Sequence, residues 1–295
     1  MTGSDPGSKP GATRPSVLVG LIGSGIQASR TPAMHEREGA AQGIPYVYRM
    51  IDIDALGLSP AALPDLLEAA KRLGFQGLNI THPLKQAILP LLDELAPDAA
   101  AIGAVNTVVL RDGRATGHNT DRWGFAESFR RELAGVPRRR LVQLGAGGAG
   151  AAVAHALLTL GAEELAIADP HGDRALALAD ALSARFGAGR AALAADIAAA
   201  VARADGLVNT TPVGMAAYPG LPLGPDLLRP NLWVADIIYF PLETELLARA
   251  RSLGCRTMGG GGMAIFQAAG AFRLFTGVAP DAERMSRHFA SLGPG

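Results

Sequence analysis

Residues 17–22 are an apolar run that ends at glycines, the pattern of a short buried strand. Residues 31–43 predict a helix with Pro32 in its first turn, where a missing N–H is no loss. β-Branched and aromatic residues over 46–53 predict a second strand. Leu63, Leu66, Leu67 and Ala70 recur at helical spacing within 59–73, and Gly74 supplies the stop. A strand is expected over 75–80. A helix is expected over 85–95, with Ile88, Leu91, Leu92 and Leu95 on one face. Residues 106–110 and 114–118 flank Asp112-Gly113, a pair suited to the positive φ of a tight hairpin turn. This alternation predicts a mixed α/β domain of about 100 residues.

A helix over 122–133 leads to a second alternating series. A strand at 139–144 runs straight into Gly145-Ala146-Gly147-Gly148-Ala149-Gly150, and a helix follows at 151–160. Next come a strand at 165–169, a helix at 173–186, strands at 206–209 and 233–239, and a helix after Pro241 that ends near Gly254. Residues 263–275 and 281–292 are helical in pattern, and either domain could receive them. Residues 1–15 are rich in Gly, Ser and Pro and read as a disordered tail.

The length of 295 residues fits about two domains, and 48% hydrophobic residues are ample for their cores. Lys plus Arg is 27 and Asp plus Glu is 27, a balance that argues against electrostatic capture of nucleic acid or an anionic membrane. No apolar run approaches the roughly 18 residues of a membrane span, and residues 1–15 lack the apolar middle of a signal peptide. Cys255 is the lone cysteine, so no disulfide or Cys-based zinc site forms within the chain. A reduced, cytoplasmic setting is the expectation. The basic side is lopsided, because only Lys9, Lys71 and Lys85 are lysines. Arg keeps its proton near neutral pH, whereas Lys can trade one, so each Lys is weighed as chemistry.

The glycine pattern at 145, 147 and 150 follows a strand and opens a helix, and Asp169 closes the next strand 24 positions after Gly145. That context reads as a dinucleotide fingerprint: the glycines let backbone approach a pyrophosphate at a helix N-terminus. Asp169 would accept from ribose hydroxyls and repel a 2′-phosphate, which favours NAD over NADP. Arg174 stands close enough in sequence to compensate in part. The competing reading makes Asp169 a cap for the helix opening near Asp173. Asn79-Ile80-Thr81-His82-Pro83-Leu84-Lys85 is a polar cluster at a strand end, where α/β proteins place ligands. Lys85 is expected in the first turn of the following helix, opposing its dipole, so it is either a proton-handling group or a surface Lys. Asp121, at the junction between the domains, either partners Lys85 across a cleft or caps the next helix. Ser29 and Thr31 flank a helix start as a carboxylate cradle or as ordinary caps. His35, His155, His171 and His288 have no ligand-like spacing, and no metal site is assigned.

Seven segments, taken in order, resemble the shikimate/quinate dehydrogenase family from about 17 to 290. They are SRTPAMHE at 29–36, NITHPLK at 79–85, GAVNT at 103–107, GHNTD at 117–121, the glycine loop, NTTPVGM at 209–215 and GMAIFQAAGAF at 262–272. The resemblance implies a two-domain α/β fold. An α/β substrate domain with a mixed sheet would cover 16–121, with helices at 260–292 returning to it. A Rossmann-type dinucleotide-binding domain with a parallel sheet would cover 122–259. By the same resemblance Lys85 and Asp121 are the catalytic pair, and Ser29 and Thr31 hold the substrate carboxylate. Thr81, Asn106, Asp121 and Gln267 hold ring hydroxyls, and Tyr239 lies near the carboxylate. The loop residues Gly145 to Gly150, with Asp169, Arg174, Asn209, Thr210, Pro212, Gly260 and Met263, face the cofactor. The implied reaction is reversible NAD(P)-dependent hydride transfer between shikimate and 3-dehydroshikimate. Quinate is the alternative main substrate, followed by aminoshikimate and by a catalytically silent nucleotide sensor. Biosynthetic members typically carry Ser where Thr31 stands and an Asn-Arg-Thr-like run at 169–171; the first departure resembles NAD-dependent members that act on quinate as well as shikimate, and the second agrees with the charge argument for NAD. Four consecutive glycines at 259–262 read as a mobile loop beside the nicotinamide. The implied partner is a small molecule, and a homodimer is a candidate assembly.

Overall fold

The opening apolar run is β1 (Val17–Gly23), and it lies second in a six-stranded sheet. The structure, a computed structural model, describes residues 15–292, so the tail read at 1–15 lies outside the described residues except for Pro15. The first half continues with α1 (Thr31–Ala41), β2 (Tyr46–Asp52), α2 (Leu63–Arg72), β3 (Gly77–Ile80), β4 (Glu94–Leu95), α3 (Pro97–Ile102), β5 (Thr107–Arg111) and β6 (Arg114–His118). The sheet order is β2-β1-β3-β5-β6-β4. β1 pairs parallel with β2 and β3, whereas β5 pairs antiparallel with β3 and β6, so this sheet is mixed. The predicted hairpin forms, with Asp112 at φ 53° and Gly113 at φ 76°, both in the left-handed region that this turn requires.

After α4 (Asp121–Glu132) come β7 (Arg140–Leu144), α5 (Gly148–Thr159), β8 (Glu164–Ala168), α6 (Gly172–Phe186), β9 (Ala191–Leu193), α7 (Ile197–Arg203), β10 (Gly206–Asn209), β11 (Trp233–Asp236), α8 (Glu245–Ser252), β12 (Thr257–Met258), α9 (Gly260–Thr276) and α10 (Ala282–Ser291). The second sheet has the order β12-β11-β10-β7-β8-β9, with every pairing parallel. Chain order reverses between β7 and β10, and doubly wound sheets bind ligands at the crevice such a reversal opens.

The last helices pack on the first sheet. Ala271, Phe272 and Phe275 of α9 join Val17, Val19 and Tyr48 in one apolar cluster. Met34 of α1 meets Ala264, Ala268, Met285 and Phe289 in another. Phe125 and Phe129 of α4 enter the core under the second sheet, beside Trp233. A Cβ on Gly124 would lie 2.8 Å from both Gln267 N and Met263 O, so α4 and α9 cross at backbone distance only because that position lacks a side chain.

Two expectations are corrected. Residues 85–95 are not an α-helix: turns run to Ile88, a 3-10 turn covers Leu89–Leu91, and β4 pairs parallel with β6. Pro90 supplies no N–H for an α-helical ladder, and Leu84 and Ile88 reach full burial from turns. The glycine run is likewise not a loop. Gly260, Gly261 and Gly262 form the first turn of α9. A Cβ on Gly260 would lie 2.2 Å from Ile237 O, and one on Gly262 would lie 2.2 Å from Ser128 Oγ. These glycines serve close packing.

His35 of α1 is fully enclosed among the rings of Tyr46, Tyr48, Phe272 and Phe275, with Nδ1 2.9 Å from the Tyr46 hydroxyl. Burial pushes its pKa from 6.5 down to about 3. The unfolded chain therefore takes up a proton below pH 6.5 that the folded chain refuses, and stability falls as pH drops through that window. One such group contributes about 1.4 kcal/mol per pH unit. Urea titrations at pH 6.5 and 5 should show a smaller loss for His35→Phe than for the wild type, by about 2 kcal/mol. Equal losses would sink this assignment.

Candidate active site

Lys85 follows the end of β3, and its backbone carbonyl accepts from Val105 N at 2.8 Å. Leu84 beside it is fully buried and anchors the turn. Lys85 Nζ donates to Asp121 Oδ2 at 2.6 Å, with side-chain exposures of 16% and 6%. No helix starts at Lys85, so opposition to a helix dipole does not explain its placement; a carboxylate partner does. Asp121 opens α4 but makes no cap hydrogen bond. Asn119 takes that part, its Oδ1 accepting from Arg122 N at 3.2 Å. Asp121 Oδ1 accepts instead from Asn106 Nδ2 at 2.9 Å.

Behind the pair lies a buried polar chain that sequence reasoning did not assemble. Asn106 also donates to Thr120 Oγ1 at 2.9 Å and accepts from Thr120 N at 2.8 Å. Asn79 Nδ2 donates to Asn106 O and Thr107 Oγ1, and Tyr48 donates to Asn79 Oδ1 at 2.7 Å. Fully satisfied buried networks hold their members rigidly. Asn79 and Thr120 sit within segments already singled out, but nothing local marks Tyr48.

Tyr239 is hydrogen-bonded to the Ser29 side chain. Burial pushes its phenol above the ordinary range, the Ser29 bond pulls back, and the charge of Asp121 adds to the upward push. Ser29 Oγ also accepts from Thr31 N at 3.4 Å, at the start of α1. Thr81 abuts β1, for a Cβ on Gly23 would lie 2.2 Å from its Cγ2. Gln267 is half-buried on α9, with Nε2 donating to Ala264 O at 3.1 Å.

Across the cleft, Gly145 has φ +100°, and a Cβ there would lie 2.7 Å from Thr210 Oγ1. A Cβ on Gly150 would lie 2.6 Å from Gly145 O, so these two positions require glycine for conformation and packing. A Cβ on the exposed Gly147 would meet nothing within 4 Å, leaving clear the ground a pyrophosphate would occupy. The residues thus fit a dinucleotide. Gln143, a polar residue inside β7, braces the loop by donating to Gly145 O at 2.8 Å and Gly150 O at 3.0 Å. Its position among the apolar Leu141, Val142 and Leu144 was the available signal.

Asp169 Oδ2 accepts from Ala146 N at 2.8 Å and Oδ1 from His171 N at 2.9 Å, so the carboxylate borders the glycine loop and does not cap the helix near Asp173. Arg174 is exposed on the first turn of α6. Pro212 is exposed, and Thr210 and Ala149 are half-buried. Asn209, Gly260 and Met263 are buried. The Asn209 side chain donates to Val213 O and Asp236 Oδ1 and accepts from Thr211 N and Oγ1. Its side-chain hydrogen bonds thus order the loop that follows β10. Among the described residues no group of three or more His, Cys, Asp or Glu could hold a metal ion, and no helix is long and apolar enough to cross a membrane.

Residues 21–108 match the sequence model of a family described as the shikimate dehydrogenase substrate binding domain. A shikimate dehydrogenase (NADP(+)) of Streptomyces avermitilis is 60% identical over 282 residues, covering 95% of this chain and 97% of that protein. A quinate/shikimate dehydrogenase (NAD(+)) of Corynebacterium efficiens is 53% identical, covering 94% and 99%. Among solved structures, quinate dehydrogenase from Corynebacterium glutamicum in complex with NAD superimposes with a TM-score of 0.86 at 51% identity, covering 94% of this chain and 99% of that one. With such identity across nearly its whole length, and both sheets in place, the chain belongs to the shikimate/quinate dehydrogenase family.

Proposed function

We propose that this chain catalyses reversible hydride transfer between shikimate and 3-dehydroshikimate, with NAD preferred over NADP. The observation that carries the reading is the Lys85–Asp121 contact of 2.6 Å, set beside the glycine loop. A bound nicotinamide cofactor supplies the hydride acceptor for oxidation and the donor for reduction. Lys85 takes the ring hydroxyl proton in oxidation and returns it to the developing alkoxide in reduction. Asp121 Oδ2 holds Lys85, and Asn106 orients Asp121 through Oδ1. Both Asn106 amide hydrogens are taken, one by Thr120 Oγ1 and one by Asp121 Oδ1, so its part is to position Asp121. Ser29, Thr31 and Tyr239 receive the substrate carboxylate through hydroxyls at the start of α1. Thr81 and Gln267 receive ring hydroxyls.

The named relatives divide on cofactor and on acid. Quinate as main substrate is the second reading, favoured by Thr31 and by likeness to the NAD-bound quinate dehydrogenase. The deciding experiment is kcat/KM for shikimate and quinate, each with NAD and NADP. Shikimate with NAD should rank first. NADP ranking first would defeat the argument from Asp169, quinate ranking first would establish the second reading, and no nucleotide reduction with either acid would end the enzyme reading.

A further inference from the structure

Gly148 is not one of the three glycines of the dinucleotide fingerprint, and its backbone does not demand glycine. It is the first residue of α5, where any L residue fits, and Ala would stabilise a helix there by up to about 1 kcal/mol. The reason for glycine lies across the cleft. A Cβ on Gly148 would stand 3.2 Å from Lys85 Cβ, 3.5 Å from Lys85 Cδ and 3.5 Å from Ala104 Cβ. Its nearest neighbours would be the stem of the lysine and the methyl group of Ala104. Gly147, one residue earlier, is the reverse case, with no protein atom within 4 Å of such a Cβ.

The geometry points to Gly148 as a positioning residue for Lys85. The nucleotide-binding loop forms a flat wall against which the lysine stem lies, while Asp121 holds the ammonium at 2.6 Å. The Lys85 backbone cannot retreat freely, because its carbonyl receives Val105 N at 2.8 Å and its neighbour Leu84 is fully buried. A methyl group at 148 must therefore be accommodated by a shift of a few tenths of an ångström between the Lys85 turn and the first turn of α5, because Lys85 Cβ moves only with its backbone, and that shift carries the rest of the lysine side chain with it. Displacements of about 1 Å from productive geometry cost roughly 10²-fold in rate, so a smaller shift should cost about 10-fold. The inference rests on the reading of Lys85 as the proton-transfer group.

The test is a cycle of four proteins: wild type, Gly148→Ala, Lys85→Ala and the double variant. Gly148→Ala should lower kcat about 10-fold, with the NAD dissociation constant, read by nucleotide fluorescence, within about threefold of wild type and the melting temperature retained or raised. In the Lys85→Ala background, where no ammonium remains to be misplaced, the same change should add little. Gly147→Ala should instead weaken NAD binding. The inference is overturned if Gly148→Ala leaves kcat unchanged, if it costs as much without the lysine as with it, or if NAD affinity falls in step with kcat. A wild-type kcat in the single Lys85→Ala variant would overturn the underlying reading, and is told apart because it needs no change at Gly148.

Discussion

Lys85→Ala is expected to lower kcat for shikimate oxidation by at least about 10²–10⁴, the usual worth of a positioned acid–base group. NAD affinity should change little, because the ammonium is held by Asp121 and it is the stem carbons Cβ and Cδ that lie nearest the Gly148 position. The variant also strands Asp121, a carboxylate whose side chain is 6% exposed and whose other oxygen is held by Asn106. Removing one partner of a buried pair is destabilising, so a melting curve belongs beside the kinetics to show that the loss is chemical. Lys85→Arg should fare almost as badly. Arg holds its proton at neutral pH, and a branched guanidinium does not reproduce a single 2.6 Å contact between the loop wall and Asp121. Wild-type-like kcat in a folded Lys85→Ala protein would remove Lys85 from the mechanism.

Lys85 also shows what could and could not be read ahead of the structure. Its standing as a candidate was legible, because lysine is scarce in this chain and this one follows a strand end where α/β proteins place ligands. The local reason was misread. The spacing of Ile88, Leu91, Leu92 and Leu95 fits a helix, yet Pro90 breaks the ladder and turns bury the same apolar side chains. Hydrophobic spacing records which residues must be buried and leaves open how the backbone delivers them. The glycine run at 259–262 is the same lesson with opposite sign, since glycine marks close approach as readily as freedom. β9 and α7 are too short to carry a period. Contacts such as Tyr48 with Asn79, or Gly148 with Lys85, join distant segments and leave no trace in local pattern.

Asp169 carries the second large expected effect. Its carboxylate sits at the edge of the glycine loop, accepting from Ala146 N and His171 N, the end of the site where the dinucleotide fold places the adenosine ribose. A 2′-phosphate there meets a fixed negative charge. Two unit charges about 5 Å apart repel by about 1–3 kcal/mol at effective dielectrics of 20–80, which is a discrimination of about 10–10² against NADP. Asp169→Asn keeps an acceptor for Ala146 N and removes the charge, so the ratio of kcat/KM for NADP over NAD should rise by about that factor. Most of the rise should appear in KM, since the nicotinamide end is untouched. Arg174, exposed on the first turn of α6, is then a candidate to pair with the phosphate. The double variant with Arg174→Ala should therefore lose part of the gain. Raising ionic strength should narrow the wild-type preference, because Asp169 is only half-buried beside the exposed Pro170 and His171 and its repulsion is screened. A ratio that stays put in Asp169→Asn, with the protein folded, would mean that shape and not charge sets the choice of nucleotide.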